Sequence, residues 1–392
     1  MESLFWITLV AACAPLIAAA VPRRLVPEVV LLLAGGMLIG PYGLDLAAID
    51  TPIDLLHELG LGMLFLLAGY EIEVSELRGM GGRRALGTWL VCLVLAFALV
   101  AALATADERH AEVAVAIALT STALGTLLPI LKDRDLMGTP FGRTVVNHGT
   151  FGELGPVLAM SILLGVASPE RSLAALLVFV VAAVVVAAVP TRVVLHAEGV
   201  HGVFKAGADT TAQTTVRFTV LLLVALSAVA IVFSLDTILG AFAAGFILRH
   251  LLPGGDERLE TKLDGLAFGF LIPVFFVTSG MAIDPAAIAA APLTLLLFVI
   301  AILGVRGVPV LVATLRQREP DGTRTFDGRD SLRVALWAST GLPLIVAVTA
   351  VAVDAGQMSA ETASVLVAGG ALTVLLLPMS ATLLAREDVT QR

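Results

Sequence analysis

Two ionisable residues lie in the middle of long apolar runs of this 392-residue chain, where a charge is costly and therefore suggests a function. Glu153 lies in the segment NHGTFGELGP (147–156), and Arg306 lies in LGVRGVP (303–309). We expect the two charges either to pair or to face a water-filled cavity. A buried ion pair that only holds two helices together is the alternative, although such a pair is weak evidence for stability.

A proline follows each of these charges by three positions, at Pro156 and Pro309. A helix proline cannot donate to the carbonyl four residues earlier, so the carbonyls of Gly152 and Val305 should be freed. Glu153 and a freed neighbouring carbonyl offer the hard oxygen ligands that alkali cations bind. The sixth apolar run therefore predicts a cation site.

Hydroxyl side chains supply further candidate ligands in these runs. Thr150 shares a helix face with Glu153, whereas His148 lies off that face and is expected to pack or to sense pH. Hydroxyls beside Gly and Pro in ALTSTALGTLLP (118–129) and ALWASTGLP (335–343) indicate helices broken in mid-membrane, with a packed proline kink as the alternative. The predicted ligands are Glu153, Thr120, Ser121, Thr122 and Thr150, and the predicted break positions are Gly125, Pro129, Ser339, Thr340, Gly341 and Pro343.

The composition places these runs in a membrane. Hydrophobic residues make up 58% of the chain and charged residues 14%, where about 25% charged is usual in soluble domains. We predict an all-α protein with thirteen spans, near 4–21, 25–44, 55–72, 85–104, 113–131, 144–166, 173–195, 218–233, 237–251, 266–283, 293–315, 334–353 and 365–384. No soluble domain, cofactor, disulfide or nucleic-acid-binding surface is expected.

The distribution of basic residues supports this count and orients the chain. With the N-terminus outside and the C-terminus inside, only Arg109 and Arg171 of the 24 Lys and Arg residues fall in outer loops, and only Arg306 falls in a span. The two predicted breaks are seven spans apart, which gives the two halves opposite orientation, as in inverted repeats. Carboxylates at span ends, such as Glu28 and Glu71, are expected to be interfacial anchors.

Four further segments carry a resemblance: PEVVLLLAGGMLIGP (27–41), LFLLAGYE (64–71), GAFAAGFIL (240–248) and IPVFFVTSGMAID (272–284). On these motifs the chain resembles the cation/proton antiporter family of bacterial sodium/proton exchangers and Kef-type potassium efflux proteins. The resemblance implies a homodimer in the bacterial inner membrane. It also implies a dimerisation part (1–80 and 215–285), a mobile core (81–170 and 289–385) with two crossing broken helices, and a linker (171–214).

The resemblance also implies roles for the two buried charges. The family's ion-binding acid follows Asp, Asn or Gln on the sixth span, where this chain reads Gly152-Glu153, and Arg306 matches a Lys that many members carry. We expect Glu153 to bind either a proton or a monovalent cation (Na⁺ or K⁺) in electroneutral alternating-access exchange, with Arg306 as a fixed charge. The alternatives are a proton-coupled transporter whose Arg306 clamps an organic anion, a cation channel, a membrane enzyme and a sensor that does not transport.

Overall fold

The computed structural model describes residues 1–20, 26–72, 79–103, 111–133, 135–164, 169–196, 213–252, 255–319 and 322–384. Within these ranges the regular secondary structure is helical, apart from one isolated bridge between Arg318 and Arg324. The helices are α1 (Glu2–Ala20), α2 (Glu28–Ile39), α3 (Thr51–Tyr70), α4 (Met80–Leu103), α5 (Ala111–Leu119), α6 (Leu124–Asp133), α7 (Pro140–Leu163), α8 (Pro169–His196), α9 (Thr214–Val232), α10 (Thr237–Leu251), α11 (Glu257–Leu266), α12 (Ile272–Met281), α13 (Pro285–Ala290), α14 (Pro292–Ile302), α15 (Val308–Leu315), α16 (Gly328–Ala338), α17 (Leu342–Asp354) and α18 (Ala360–Leu383). π-Helical turns join α11 to α12 (Ala267–Leu271) and α14 to α15 (Leu303–Gly307).

The predicted membrane character is visible in these helices. Among the described residues, eight helical segments are long and apolar enough to cross a bilayer, and three shorter apolar helices accompany them. Large apolar side chains such as Val94, Val181 and Leu293 are exposed on the outside of the bundle, as expected where lipid rather than water is the solvent. The chain is therefore an all-helical, multi-pass membrane protein.

The helices pack in two groups. In the first group, α3 and α12 form the centre and pack against α2, α9 and α10. In the second, α7 packs against α4, α6 and α16, while α18 packs against α14, α16 and α17. Helix α8 contacts α7 of one group and α10 of the other, and residues 197–212 of the predicted linker lie outside the described residues. The division into a scaffold and a moving core stays a prediction.

Helices α2 and α12 approach each other closely through glycine. A Cβ at Gly36 would overlap the carbonyl oxygen of Val277, and a Cβ at Gly280 would overlap that of Leu33. In a membrane, where lipid is as apolar as the helices, such close backbone approach supplies the packing energy that holds two helices together. These glycines lie in two of the segments that carry the family resemblance.

We expect Gly36→Val to lower the stability of the folded protein by about 2 kcal/mol or more, because the added side chain meets backbone that cannot move aside. Thermal unfolding of the purified protein in detergent measures the effect. Gly62→Ala is the control, since a Cβ there lies 3.5 Å from Leu223 Cδ1, an ordinary van der Waals contact. Equal melting temperatures for Gly36→Val and the control would contradict this account of the crossing.

Candidate functional site

Two interrupted helices meet at the centre of the second helix group. Helix α5 ends at Leu119 and α6 begins at Leu124, while α16 ends at Ala338 and α17 begins at Leu342. The two interruptions touch, because the backbone N–H of Ala123 donates to the carbonyl of Thr340 at 2.6 Å. Backbone groups freed by one break are thus satisfied by the other, as burial in a membrane requires.

Hydroxyl groups, rather than Gly125 and Pro129, mark the first break. Gly125 is the second residue of α6, directly after the break, whereas Pro129 lies inside that helix, so the prediction of Pro129 as a break position is corrected. The helix ends instead where Thr120 and Ser121 donate to carbonyls three residues earlier, at 2.8 and 2.7 Å, in competition with the helical pattern.

The second break consists of Ser339, Thr340 and Gly341, and Pro343 is the second residue of the helix that follows. Ser339 and Thr340 donate in the same way to the carbonyls of Ala335 and Trp337, both at 2.8 Å. Gly341 precedes the first residue of α17, and Pro343 occupies the first turn, where a proline fits because no N–H is needed there.

Arg306 lies in the π-helical turn before α15 and is 0% exposed. Its Nε donates to Thr122 Oγ1 at 3.1 Å and to the Ala338 carbonyl at 3.3 Å. Its Nη2 donates to Thr122 Oγ1 at 3.0 Å and to the His148 carbonyl at 2.6 Å, and Nη1 lies 3.8 Å from Cys92 Sγ. Because Ala338 ends α16, the guanidinium lies at the negative end of that helix dipole.

The expected pairing of Arg306 with Glu153 is not present. Among the described residues, no ion pair within 4.0 Å involves Arg306, and its hydrogen-bond partners are neutral. The charge is instead stabilised by carbonyl dipoles and by a hydroxyl. Arg306 therefore joins three elements, α7, the first break and α16, at a single point.

We expect Arg306→Lys to destabilise the protein, because a compact ammonium group cannot reach acceptors on three elements at once. Hydrogen bonds to charged groups contribute about 1.5–3 kcal/mol each, so a loss of about 2–4 kcal/mol is expected. Thermal unfolding in detergent measures this loss, and Arg217→Lys, at an exposed position on α9, is the control. An unchanged melting temperature would show that the guanidinium geometry is not needed.

Gly152 is the residue that admits the guanidinium. A Cβ at this position would overlap Thr122 Oγ1 and would lie 2.5 Å from Arg306 Nη2. The Gly152 carbonyl, which Pro156 was predicted to free, accepts the N–H of Thr122 at 2.8 Å. The absence of a side chain at Gly152, directly before Glu153, therefore leaves the space that the Arg306 guanidinium occupies.

Thr122 was predicted to be a cation ligand, and its contacts in the structure argue against that role. Its hydroxyl donates to the Ala338 carbonyl and accepts from both Nε and Nη2 of Arg306. The hydroxyl therefore has no lone pair left for a cation in this conformation. The hydroxyls of Thr120, Ser121 and Thr150 donate to carbonyls of their own helices, which leaves their lone pairs available.

Glu153 lies in α7 and is 5% exposed. Its Oε2 has no hydrogen-bond partner among the described residues, which is costly for a buried carboxyl group and marks a place for a proton or a cation. Glu71, at the end of α3 in the other helix group, reaches the start of α6. Glu71 Oε2 lies 3.9 Å from the Cβ position of Gly125 at the start of α6.

Sequence reasoning did not place Glu71 near the first break. Its position at the end of a span suggested an interfacial anchor, and only the packing of α3 against α6 brings its carboxylate towards Gly125. The signal that the sequence does contain is the segment LAGYE, in which a carboxylate ends an otherwise apolar run. The described residues hold no group of three or more His, Cys, Asp or Glu that could bind a metal ion, so hydroxyl and carbonyl oxygens would have to complete any cation site.

Comparison with known proteins shows the family to which the chain belongs. The model of the transmembrane sodium/hydrogen exchanger family matches residues 8–387. YjbQ from Bacillus subtilis (strain 168) is 27% identical over 278 residues, covering 66% of this chain and 44% of its own length. The glutathione-regulated potassium-efflux system protein KefC from Cronobacter sakazakii is 26% identical over 388 residues, covering 91% of this chain and 56% of its own length. The chain thus spans about half the length of these two curated relatives.

A solved structure shares the fold. The sodium proton antiporter MjNhaP1 from Methanocaldococcus jannaschii superimposes with a TM-score of 0.68 at 18% identity, covering 97% of each chain. Since the family model covers nearly the whole sequence, the predicted resemblance is confirmed. The chain belongs to the sodium/hydrogen exchanger family of transmembrane proteins.

Proposed function

We propose that the protein exchanges a monovalent cation, Na⁺ or K⁺, for protons, and that the two compete for Glu153. The observation that carries the proposal is the buried Glu153 carboxyl group, whose Oε2 lacks a partner among the described residues. The carbonyl of the preceding Gly152 accepts the N–H of Thr122 in the first of the two touching helix breaks. The names of two similar proteins agree with a monovalent cation as the substrate, since KefC is a potassium-efflux protein and MjNhaP1 is a sodium proton antiporter. Glu153 and the hydroxyls of Thr120, Ser121 and Thr150 are the proposed cation ligands.

Glu71, whose Oε2 approaches Gly125 at the start of α6 from the other helix group, is proposed to extend this ligand set. A cation between Glu71 and Glu153 relieves the repulsion of two carboxylates, and so does a proton on Glu153. Movement of the core helices relative to α3 would change the distance between these groups and therefore the affinity for the cation. This arrangement favours alternating access, in which a bound proton or cation is needed before the core can move.

A transporter for an organic anion held by Arg306 is less well supported. Arg306 is 0% exposed, and its Nε and Nη2 donate to Thr122 and to the carbonyls of Ala338 and His148. An anionic substrate would have to displace these contacts and open the crossing of the broken helices. We therefore assign Arg306 as a fixed charge that compensates the ion site and the end of α16.

The proposed transporter has thirteen spans with inverted repeats and an external N-terminus. Its scaffold forms a homodimer, and the protein resides in a bacterial inner membrane. Exchange is proposed to be electroneutral, because Glu153 alone exchanges its proton while Arg306 keeps its charge.

Reconstitution into phospholipid vesicles that contain a pH-sensitive dye tests the proposal. Addition of Na⁺, K⁺ or Li⁺ outside is expected to drive protons out of vesicles that contain the protein, whereas choline has no effect. Electroneutral exchange should displace no net charge in a parallel current recording on a supported membrane. A correctly folded protein that responds to none of the three cations would overturn the antiport proposal.

A further inference from the structure

A groove runs along the surface of the second helix group. It lies between α4, α7 and α15, and its volume is about 610 Å³. Arg84 and Arg316 line one end, and His148 lines its inner wall. A smaller space of about 250 Å³ shares Arg84 and His148 with the groove, so the two spaces adjoin.

The end of the groove that Arg84 and Arg316 line is cationic. Both arginines are exposed, and no ion pair within 4.0 Å involves either of them in the part of the chain that the structure describes. No carboxylate is among the described residues that line the groove itself. Arg143 and Glu319 line only the smaller space, and their charges offset each other. The excess positive charge therefore comes from the arginines that line the groove. Two guanidinium groups at one mouth are suited to a phosphate group.

The rest of the groove is apolar and open to the surrounding lipid. Val91 of α4 is 51% exposed and Val308 at the start of α15 is 52% exposed, although both lie well inside the apolar segments Met80–Leu103 and Pro292–Leu315. Leu95 and Val312 continue this wall along the two helices. Such a wall suits a hydrocarbon chain, and its cationic end lies where the arginine distribution predicts the cytoplasmic surface, whose leaflet carries anionic lipids.

His148 provides an independent sign of an occupant. Its side chain is only 4% exposed and faces both spaces, and its Nδ1 has no hydrogen-bond partner among the described residues. A buried polar atom left without a partner is unfavourable, and an oxygen of a bound molecule would satisfy it. The carbonyl of the same residue accepts Nη2 of Arg306 at 2.6 Å. The groove therefore touches the residue that helps to hold Arg306.

We propose that this groove binds an anionic phospholipid, with the phosphate between Arg84 and Arg316 and an acyl chain along the wall formed by α4 and α15. Binding joins α4 to α15 and supplies a partner to His148, so it stabilises the packing around Arg306. The proposal does not depend on which ion the protein transports, nor on whether it exchanges protons.

Thermal unfolding in dodecyl maltoside with added lipid tests this site. Dioleoyl phosphatidylglycerol is expected to raise the melting temperature saturably by roughly 3 °C or more, whereas dioleoyl phosphatidylcholine has little effect. The double variant Arg84→Gln/Arg316→Gln should lose this response while melting like the wild type in phosphatidylcholine. Arg84→Lys/Arg316→Lys should retain most of it, and Arg217→Gln, which removes an exposed arginine on α9, should retain all of it.

Two further arms distinguish a bound phospholipid from a bound phosphate ion and from a general effect of added lipid. Val308→Trp, which fills the apolar wall without changing charge, should weaken the response to phosphatidylglycerol. Inorganic phosphate at the same concentration should not reproduce it, because it uses only the mouth of the groove. Stabilisation by phosphate alone, equal stabilisation by the two lipids, or an undiminished response in the double glutamine variant would each overturn the proposal.

Discussion

Glu153→Gln is expected to abolish cation-driven proton release in reconstituted vesicles while leaving the protein folded. The amide keeps the size of the side chain but can neither carry the exchanged proton nor offer a charge to the cation. Loss of a charged ligand costs about 3 kcal/mol, or about 100-fold in cation affinity, and loss of the titrating group removes the coupling altogether. Because the carboxyl group is buried and its Oε2 has no partner among the described residues, the variant should melt at or above the wild-type temperature.

Two companion variants sharpen this test. Glu28→Gln makes the same chemical change at the exposed start of α2 and should transport like the wild type. Glu153→Asp introduces the acid that the family usually carries and shortens the side chain by one methylene. Exchange should therefore persist with an altered cation affinity. Full activity in Glu153→Gln would show that another group carries the exchanged proton, and Glu71 would be the first residue to test.

Gly152→Ala is expected to have an effect far out of proportion to the one methyl group that it adds. The new Cβ would overlap Thr122 Oγ1 and press against Arg306 Nη2, where four hydrogen bonds to the guanidinium Nε and Nη2 converge. Overpacking of this kind costs about 1–3 kcal/mol, and displacement of a buried charge from its acceptors adds to that cost. We expect a lower melting temperature together with loss of most transport.

Gly304→Ala is the matched control, because it adds the same methyl group to the π-helical turn that carries Arg306, yet finds nothing within 4 Å. It should melt and transport like the wild type. Both measurements use the same preparation, namely unfolding in detergent and cation-driven proton release in vesicles. If Gly152→Ala and Gly304→Ala behave alike, the close fit between Gly152, Thr122 and Arg306 does not position the guanidinium.

Much of the site could be predicted from residue types alone. Glu153 and Arg306 stood out because charge is rare in apolar runs, and the hydroxyl-rich segments indicated the two interruptions. In the fifth span the break comprises residues 120–123 and so precedes Gly125 and Pro129, and Pro129 does not interrupt α6. In the structure Thr120 and Ser121 end the helix by bonding to carbonyls one turn back, a competition that sequence spacing does not rank.

The amino-acid sequence by itself determined the membrane class, the family and the two buried charges, because these depend on composition, on local motifs and on the cost of charge in lipid. Only the tertiary structure decided which groups meet. It placed Arg306 beside neutral partners instead of Glu153, engaged the hydroxyl of Thr122 in three hydrogen bonds, and brought Glu71 towards the start of α6. These contacts join residues far apart in the chain, and the packing of whole helices, rather than any local pattern, determines their distances.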